Sequence, residues 1–349
     1  MSDLVSVIIL NWNGKNYIRA CLDKVLLQNY SNMEIIVVDN ASDDGSAELI
    51  RRSYPSVDIV ENKQNLGFGG GNNIGIRRAK GDYVLILNND AELDKGCIRA
   101  MREALDRHPE CGGCASKIYF KNNPLIVDAA GIAVFPDGLS TGRGRFEQGS
   151  LYEKEEEVFG ASGCCALFRR EMLEDIKVGG EYYDEDFFAY ADDTDLGWRA
   201  RLRGWGCIYA PEAKTYHLHS AGSGSHSAIK AFLVERNRVW LQMKSFPVSL
   251  ILYGQYFTLI RYFYQAYGAF VGKGASGEFT REHSKMELAK ILFKAYSSSI
   301  QGYGLMATKR REIRKRSLMS NAEMFHCLRT YGMKTRDIAL MRSEAEGTQ

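Results

Sequence analysis

In the N-terminal quarter of the chain the apolar residues fall in short runs separated by polar turns: LVSVIIL at 4–10, EIIVV at 34–38, VDIV at 57–60 and YVLIL at 83–87. Each run is rich in β-branched residues and too short for a helix, which predicts buried strands. Between the first two, Tyr17, Ile18, Cys21, Leu22, Val25 and Leu26 recur at three- and four-residue spacing, the mark of an amphipathic helix. A second helix is expected over Ser46–Ser53, and a third starts near Asn72 and carries Ile74, Ile76 and Ala79 before Gly81. Strands alternating with helices imply an α/β fold whose mostly parallel, Rossmann-like sheet binds ligands at the carboxyl ends of its strands.

The polar residues of interest therefore stand where strands end. The first run ends in Asn11-Trp12-Asn13-Gly14, the second in Asp39-Asn40-Ala41-Ser42-Asp43-Asp44-Gly45 and the fourth in Asn88-Asn89-Asp90, so all three are expected on one rim. Asp39 can accept hydrogen bonds from the imide of a pyrimidine base, or serve only as a turn and helix cap. The segment NLGFGGGNNIG, from Asn65 to Gly75, places glycines in a loop entering a helix, where backbone amides can approach phosphate. It is not a dinucleotide fingerprint, which belongs directly after the first strand, nor a P-loop, which ends in Gly-Lys-Ser/Thr. Asn88-Asn89-Asp90 offers one carboxylate and two amides, chemistry that suits Mg²⁺ and equally suits a tight turn.

Beyond residue 115 the pattern loosens, and DGLSTGRGRFEQG and YEKEEE read as exposed loops or a flap. Asp192-Asp193-Thr194-Asp195 then opens a helical pattern carrying Leu196, Trp198, Arg199 and Leu202. Acids there serve the helix dipole, or one of them is a general base in a partly apolar cleft. His217 and His219 are metal-ligand types in a loop-like stretch that continues through Ser220-Ala221-Gly222-Ser223, and a structural role is the alternative. Arg236-Asn237-Arg238 stands on a helix, where it can clamp a diphosphate or belong to a solvated face.

At Phe246 the composition changes, which sets the expected domain boundary between 1–245 and a helical region 246–349. From Phe246 to Gly274 the polar or small residues Gly254, Thr258, Arg261, Gln265, Gly268 and Gly272 form one narrow stripe beside a broad aromatic and aliphatic face. That pattern predicts a helix lying in the plane of a membrane surface. The alternative is that the same face packs on the rest of the chain or on a second subunit in a homo-oligomer. Arg261 near the middle argues against spanning, since a charge at the bilayer centre costs about 2.5–3.5 kcal/mol. Downstream, Lys309, Arg310, Arg311, Arg314, Lys315 and Arg316 form a basic cluster suited to an anionic leaflet.

Overall charge, +2 in 349 residues, gives no reason to expect nucleic acid as a partner. The eight cysteines include the adjacent Cys164 and Cys165 and a lone Cys111-x-x-Cys114, poor material for a secreted disulfide framework and without a second pair for zinc. A reducing cytoplasm is expected. The N-terminus, MSDLVSVIILNWNG, lacks the basic region of a signal peptide and reads as a strand.

In this order, VSVIILNWNG, VVDNASDDGS, NxxNxGFGGGNNIGI, the strand-end Asn-Asn-Asp, GCCALFRRE, YADDTDLGWRARLRGW, the His217 segment and Arg236-Asn237-Arg238 resemble the family-2 glycosyltransferases, in particular their bacterial rhamnosyltransferase-like subgroup. The resemblance covers residues 4–245. It implies a GT-A nucleotide-diphospho-sugar transferase fold, an inverting transfer of sugar to a hydroxyl of a saccharide or lipid-linked acceptor, and Mg²⁺ or Mn²⁺ as cofactor. It further implies Asp193 as catalytic base, Asn11, Asn13, Asp39, Asn65, Gly67, Asn72, Asn89 and Arg236 on the nucleotide-diphosphate sugar, and Asp90 with His217 on the metal. A register slipped by two would make Asp195 the base. The metal motif reads Asn-Asn-Asp rather than Asp-x-Asp, and the Glu-Asp pair reads Asp192-Asp193. The implied donor is dTDP-rhamnose. Separately from the resemblance, the cysteines point to the cytoplasm, and the apolar stripe with the basic cluster predicts peripheral attachment to the cytoplasmic face of the inner membrane. A nucleotidyltransferase, or a carbohydrate-binding protein that kept the fold without catalysis, are the rival classes.

Overall fold

The computed structural model describes residues 3–218, 227–272, 276–277, 279, 284–334 and 337. The chain divides into two compact units, Met1–Ile132 with Gly142–Gly222, and Ala133–Thr141 with Ser223–Gln349.

In the first unit the apolar runs become β1 (Val5–Asn11), β2 (Met33–Asp39), β3 (Asp58–Glu61) and β4 (Tyr83–Asn88). They pair in parallel in the order β3-β2-β1-β4. Further strands follow: β5 (Ala91–Leu93), β6 (Cys111–Phe120), β7 (Asn123–Ala129), β10 (Glu156–Glu157), β11 (Cys165–Arg169) and β12 (Gly206–His217) widen the sheet, while β8 (Ile132–Val134) and β9 (Ser140–Gly142) stand apart from it. The sheet becomes mixed past β4, because β11 runs antiparallel to both β4 and β6 while β12 lies parallel to β6. Its two faces have separate cores. Val5, Val7 and Ile9 of β1 point to one core, shared with α1 (Ile18–Leu26) and α4 (Cys97–Arg107), while Ile8 points to the other. That alternation is the period-two geometry of a strand covered on both sides.

The third helix, α3 (Gly67–Arg78), begins five residues earlier than Asn72, since the glycines expected in a loop form its first turns. Packing explains them: a Cβ on Gly71 would lie 2.2 Å from Leu10 Cδ1, and one on Gly75 2.4 Å from Ile8 Cγ2. α2 (Ser46–Ser53) lies where expected, and α5 (Arg170–Asp175) follows β11. The Cys111-x-x-Cys114 pair is buried on β6, and burial pushes the Cys111 thiol up to about 12, far from the thiolate a metal would take.

Among the described residues the second unit contains α7 (Ala228–Ser245), α8 (Val248–Val271) and, further along, the helices Lys285–Gln301, Tyr303–Arg316 and Asn321–Thr330. The composition change at Phe246 is thus the start of an apolar helix rather than the edge of a compact unit: α7 packs on Lys285–Gln301 and Tyr303–Arg316, and the units part at Gly222/Ser223. Residues 273 and 274, at the end of the stripe read from sequence, lie outside the described residues.

The polar stripe of α8 faces inward. Leu250, Gly254, Thr258, Arg261 and Gly268 are its buried residues. Arg261 donates to Asp137 (2.7 Å) and to Glu235 (2.6 and 3.1 Å), and Arg238 donates to Glu235 (3.0 Å) and to Tyr296 (2.8 Å). Asp137, read from sequence as part of an exposed loop, is 1% exposed because it belongs to this charge cluster. Burial alone would raise Glu235, yet Arg238 and Arg261 outweigh it and hold its carboxyl at about 2. The basic cluster is also partly drawn inward. Lys309 is buried, Arg310 donates to the carbonyls of Met243 and Phe246 at the end of α7, and Arg314 donates to Asn321. Among the described residues no helix is long and apolar enough to cross a membrane.

Candidate active site

Parallel register brings the strand ends together, with Asn11 opposite Asp39 and Leu10 opposite Asn88. Asn11 is fully buried and organises this rim. Its Nδ2 donates to Asp39 Oδ1 (2.8 Å) and Ser46 Oγ (2.8 Å), while its Oδ1 accepts from Asn89 Nδ2 (2.9 Å). Asp39 also accepts from Ser42 through both oxygens, from the backbone amide at 2.9 Å and the hydroxyl at 2.7 Å. The turn-capping role and a rim position are thus combined in one residue. Asn13, at φ 48°, accepts from Asp43 N (3.0 Å) and its own amide donates to Ser42 Oγ (2.9 Å), which laces the first loop to the second.

Asn40 and Asn62, which stand inside quoted motifs with no role assigned to them, carry the next link. Asn62 donates to Asn40 Oδ1 (2.8 Å), and Asn40 Nδ2 donates to Asn65 Oδ1 (3.1 Å) and Gly67 O (3.0 Å). Asn residues clustered at two adjacent strand ends were the available signal. Asn72 lies fully inside α3's packing; its Nδ2 donates to Phe68 O (3.0 Å) and its Oδ1 is buried without a protein partner.

α3 is tied to the segment before the acidic helix α6 (Asp192–Leu202). Asn73 holds Tyr183 through both backbone groups at 2.8 Å, and Phe68 N donates to Phe188 O. Gly67 sits at φ +73°, and a Cβ there would fall 2.2 Å from Phe188 O. Gly67→Ala is therefore expected to cost about 1–3 kcal/mol, read as a lower midpoint in urea unfolding. A wild-type midpoint would show that the Phe188 segment yields freely.

The three acids of α6 have different surroundings. Asp195 is fully buried and paired with Arg199 at 2.9 Å, and the guanidinium also donates to the carbonyls of Ile176 and Tyr182. Asp192 is 4% exposed with Oδ1 lacking a protein partner, and burial first, then the Asp193 charge, raises its pKa well above the usual range. Asp193 is half-buried; its Oδ2 accepts from Gly163 N (3.1 Å) and its Oδ1 from Thr194 N (2.7 Å). Burial raises its pKa, and these amide bonds pull against that rise. The neighbouring Cys164 O accepts from Asn88 N (2.9 Å), so backbone links Asp193 to the end of β4.

The end of β4 also meets β12, where His217 pairs with Ala91. His217 Nε2 lies 3.3 Å from Asp90 Oδ1, and Nδ1 lies 2.8 Å from Asp128 Oδ2. Burial pulls the imidazole pKa down, but Cys164, Asp128 and Asp90 together raise it well above the ordinary value. Asp128 came from β7, far from any motif, and had no sequence signal. One carboxylate beside an imidazole whose second nitrogen is fixed by another carboxylate fits a divalent cation that takes its remaining ligands from phosphate and water. Among the described residues no group of three or more such side chains is arranged as a cage, and His219 with 220–223 lies outside them. Arg236 belongs to the second unit, where its guanidinium stands 4.2 Å from the Trp240 ring centroid and its Nε donates to Asn237 Oδ1 (2.9 Å).

Residues 6–177 match the sequence model of glycosyl transferase family 2. N-acetylglucosaminyl-diphospho-decaprenol L-rhamnosyltransferase of Mycobacterium tuberculosis is 27% identical over 280 residues, 69% of this chain and 87% of that protein. Poly-beta-1,6-N-acetyl-D-glucosamine synthase of Staphylococcus aureus is 24% identical over 61% of this chain and 50% of its own length. Among solved structures, S. aureus TarS 1–349 in complex with UDP-GlcNAc matches with TM-score 0.54 and 16% identity, over 96% of this chain and 90% of that one. The mannosyltransferase PcManGT of Pyrobaculum calidifontis, in complex with GDP-Man and Mn²⁺, matches with TM-score 0.50 and 18% identity over 89% of this chain and 85% of its own. The polar rim at the parallel strand ends and the sequence match agree, and residues 6–177 belong to a family-2 glycosyltransferase domain, rhamnosyltransferase-like and built on the GT-A fold.

Proposed function

We propose that the chain transfers a sugar from a nucleotide-diphosphate donor to a hydroxyl of a saccharide or lipid-linked acceptor, with inversion at the anomeric carbon. The observation that carries this reading is the contrast within α6: Asp193 is half-buried and held by Gly163 N, whereas Asp195 is closed off by Arg199. Asp193 takes the acceptor proton as the hydroxyl oxygen bonds to the anomeric carbon, and the bond to the diphosphate oxygen breaks with its electron pair leaving on phosphate. A positioned base of this kind contributes about 10²–10⁴-fold. Asn11, Asn13, Asp39, Asn65, Gly67, Asn72, Asn89 and Arg236 are the proposed donor-contacting or donor-shaping residues. Asp90 and His217 are the proposed ligands of Mg²⁺ or Mn²⁺, and a divalent cation there supplies positive charge against the leaving diphosphate.

The M. tuberculosis relative, an N-acetylglucosaminyl-diphospho-decaprenol L-rhamnosyltransferase by name, supports L-rhamnose as the sugar and a lipid-linked acceptor, and dTDP-rhamnose is the proposed donor. Such an acceptor would be met by a cytoplasmic enzyme at the cytoplasmic face of the inner membrane. A nucleotide-sugar panel tests the reading: release of free nucleotide diphosphate should require acceptor and be greatest with dTDP-rhamnose. No turnover with any donor would favour the non-catalytic alternative.

Metal removal gives a separate expected outcome. EDTA should abolish transfer, and Asp90→Ala should cost more than Asn88→Ala, because only the carboxylate neutralises the cation's charge. Isothermal titration of Mn²⁺ into both variants checks this directly. Full activity in EDTA would remove Asp90 and His217 from the metal role.

A further inference from the structure

Within the second unit, α8 turns its polar side to the protein and its apolar side to water. It is 24 residues long, and Arg261, its one charged residue, is buried with Asp137 and Glu235. Leu252, Leu259, Phe263 and Phe270 are 67, 70, 71 and 81% exposed, and Tyr256 and Tyr267 are 62 and 52% exposed. Their spacing of three and four residues puts them on a single stripe about 1.5 Å per residue along the axis. The next helix, Lys285–Gln301, adds an exposed row of its own at seven-residue intervals, Met286, Phe293 and Ile300. An exposed apolar stripe of this length marks a binding face.

The chemistry around the stripe selects its partner. In a paired-helix dimer the positions flanking an apolar seam carry charges that fix register and keep the rim wet. The exposed side of α8 carries no charge. Among the described residues beyond its end, Lys285, Lys290 and Lys294 are exposed and Glu287 is half-buried, and Lys285 Nζ lies 5.4 Å from the Phe270 ring centroid. Aromatic and aliphatic side chains bordered by lysines match the depth profile of an anionic bilayer surface, apolar below and phosphate above. The buried stripe also shows that α8 cannot turn this face inward without exposing Arg261 and breaking its ion pairs.

We propose that the outward face of α8, with Lys285 at its edge and Lys290 and Lys294 beyond, seats the protein in the headgroup region of an anionic bilayer. The proposal deepens the reading of a lipid-linked acceptor, and the surface itself is independent of which sugar is moved.

The test is co-sedimentation of the full chain with phosphatidylcholine vesicles, with and without phosphatidylglycerol, at low and high salt. Wild type should pellet with the anionic vesicles. Phe263→Glu should weaken partitioning at least about tenfold, since a buried Phe is worth roughly 1.5–3 kcal/mol. A second variant, Lys285→Glu with Lys290→Glu and Lys294→Glu, should remove the salt-sensitive part and leave the fold unchanged by circular dichroism. Wild type remaining in the supernatant with anionic vesicles at low salt would overturn the proposal. So would vesicle binding by Phe263→Glu equal to wild type, or a wild-type dimer in sedimentation velocity that Phe263→Glu dissociates while vesicles stay unbound. Release of nucleotide diphosphate with a soluble acceptor and no vesicles should be unaffected in Phe263→Glu. Vesicle binding without any such turnover would sink the transferase reading and leave the membrane face standing.

Discussion

Asp193→Asn is expected to cut sugar transfer at least about a hundredfold while donor affinity stays near wild type, since the amide keeps the shape but cannot take the proton. Asp195→Asn should behave differently. It leaves the Arg199 guanidinium in the core without its carboxylate, a loss of about 3–5 kcal/mol that appears as instability rather than as a folded, inactive enzyme. Single-turnover rates at saturating donor, calorimetric donor affinity and urea melts on both variants separate the two outcomes. A folded but dead Asp195→Asn beside an active Asp193→Asn would move the base by two residues. The pH profile gives a second reading of the same assignment. Burial raises Asp193, and the base must be ionised to act, so kcat/KM should fall as pH drops through a value higher than that of an ordinary aspartate.

Arg261→Ala is expected to destabilise the second unit by about 3–5 kcal/mol, because it strips the buried carboxylates of Asp137 and Glu235 of a shared partner. Chemical unfolding followed by circular dichroism measures it, and a loss below about 1 kcal/mol would mean that solvent reaches the cluster. The cluster also sets an acid limit. Glu235 is depressed from 4.5 to about 2, so its contribution is fully present above the unfolded value and is lost as pH falls through about 2. In Arg261→Ala that acid transition should move to higher pH, since one of the two guanidinium groups holding the carboxyl down is gone.

Asp90 and His217 show how far motif reading reaches. Each was picked out by residue type and by the segment around it, and folding brings them to 3.3 Å because β12 runs beside β5. Asp128, which fixes the other nitrogen of His217, stands on β7 in a stretch with no pattern of its own, so only strand pairing reveals it. The glycines of α3 show the opposite limit. Their number suggested a loop, because glycine disfavours helix, but close contact with Leu10, Ile8 and Phe188 outweighs that preference.

What this sequence determines by itself is whatever depends on near neighbours along the chain. The β-branched runs at 4–10, 34–38 and 83–87 become strands, and the polar residues that end them share a rim, because a strand's period and its termini are local properties. Tertiary structure alone decides direction and partnership. Asp193 and Asp195 are two places apart on one helix, so their side chains point to different sides, and Arg199, Ile176 and Tyr182 close off one of them. The stripe of α8 was legible as a stripe, but which side faces the protein depended on acids at Asp137 and Glu235, distant in sequence, that Arg261 could neutralise only by turning inward. Periodicity fixes that a helix has two faces; the desolvation cost of a buried charge, met only by partners folded beside it, fixes which of them is inside.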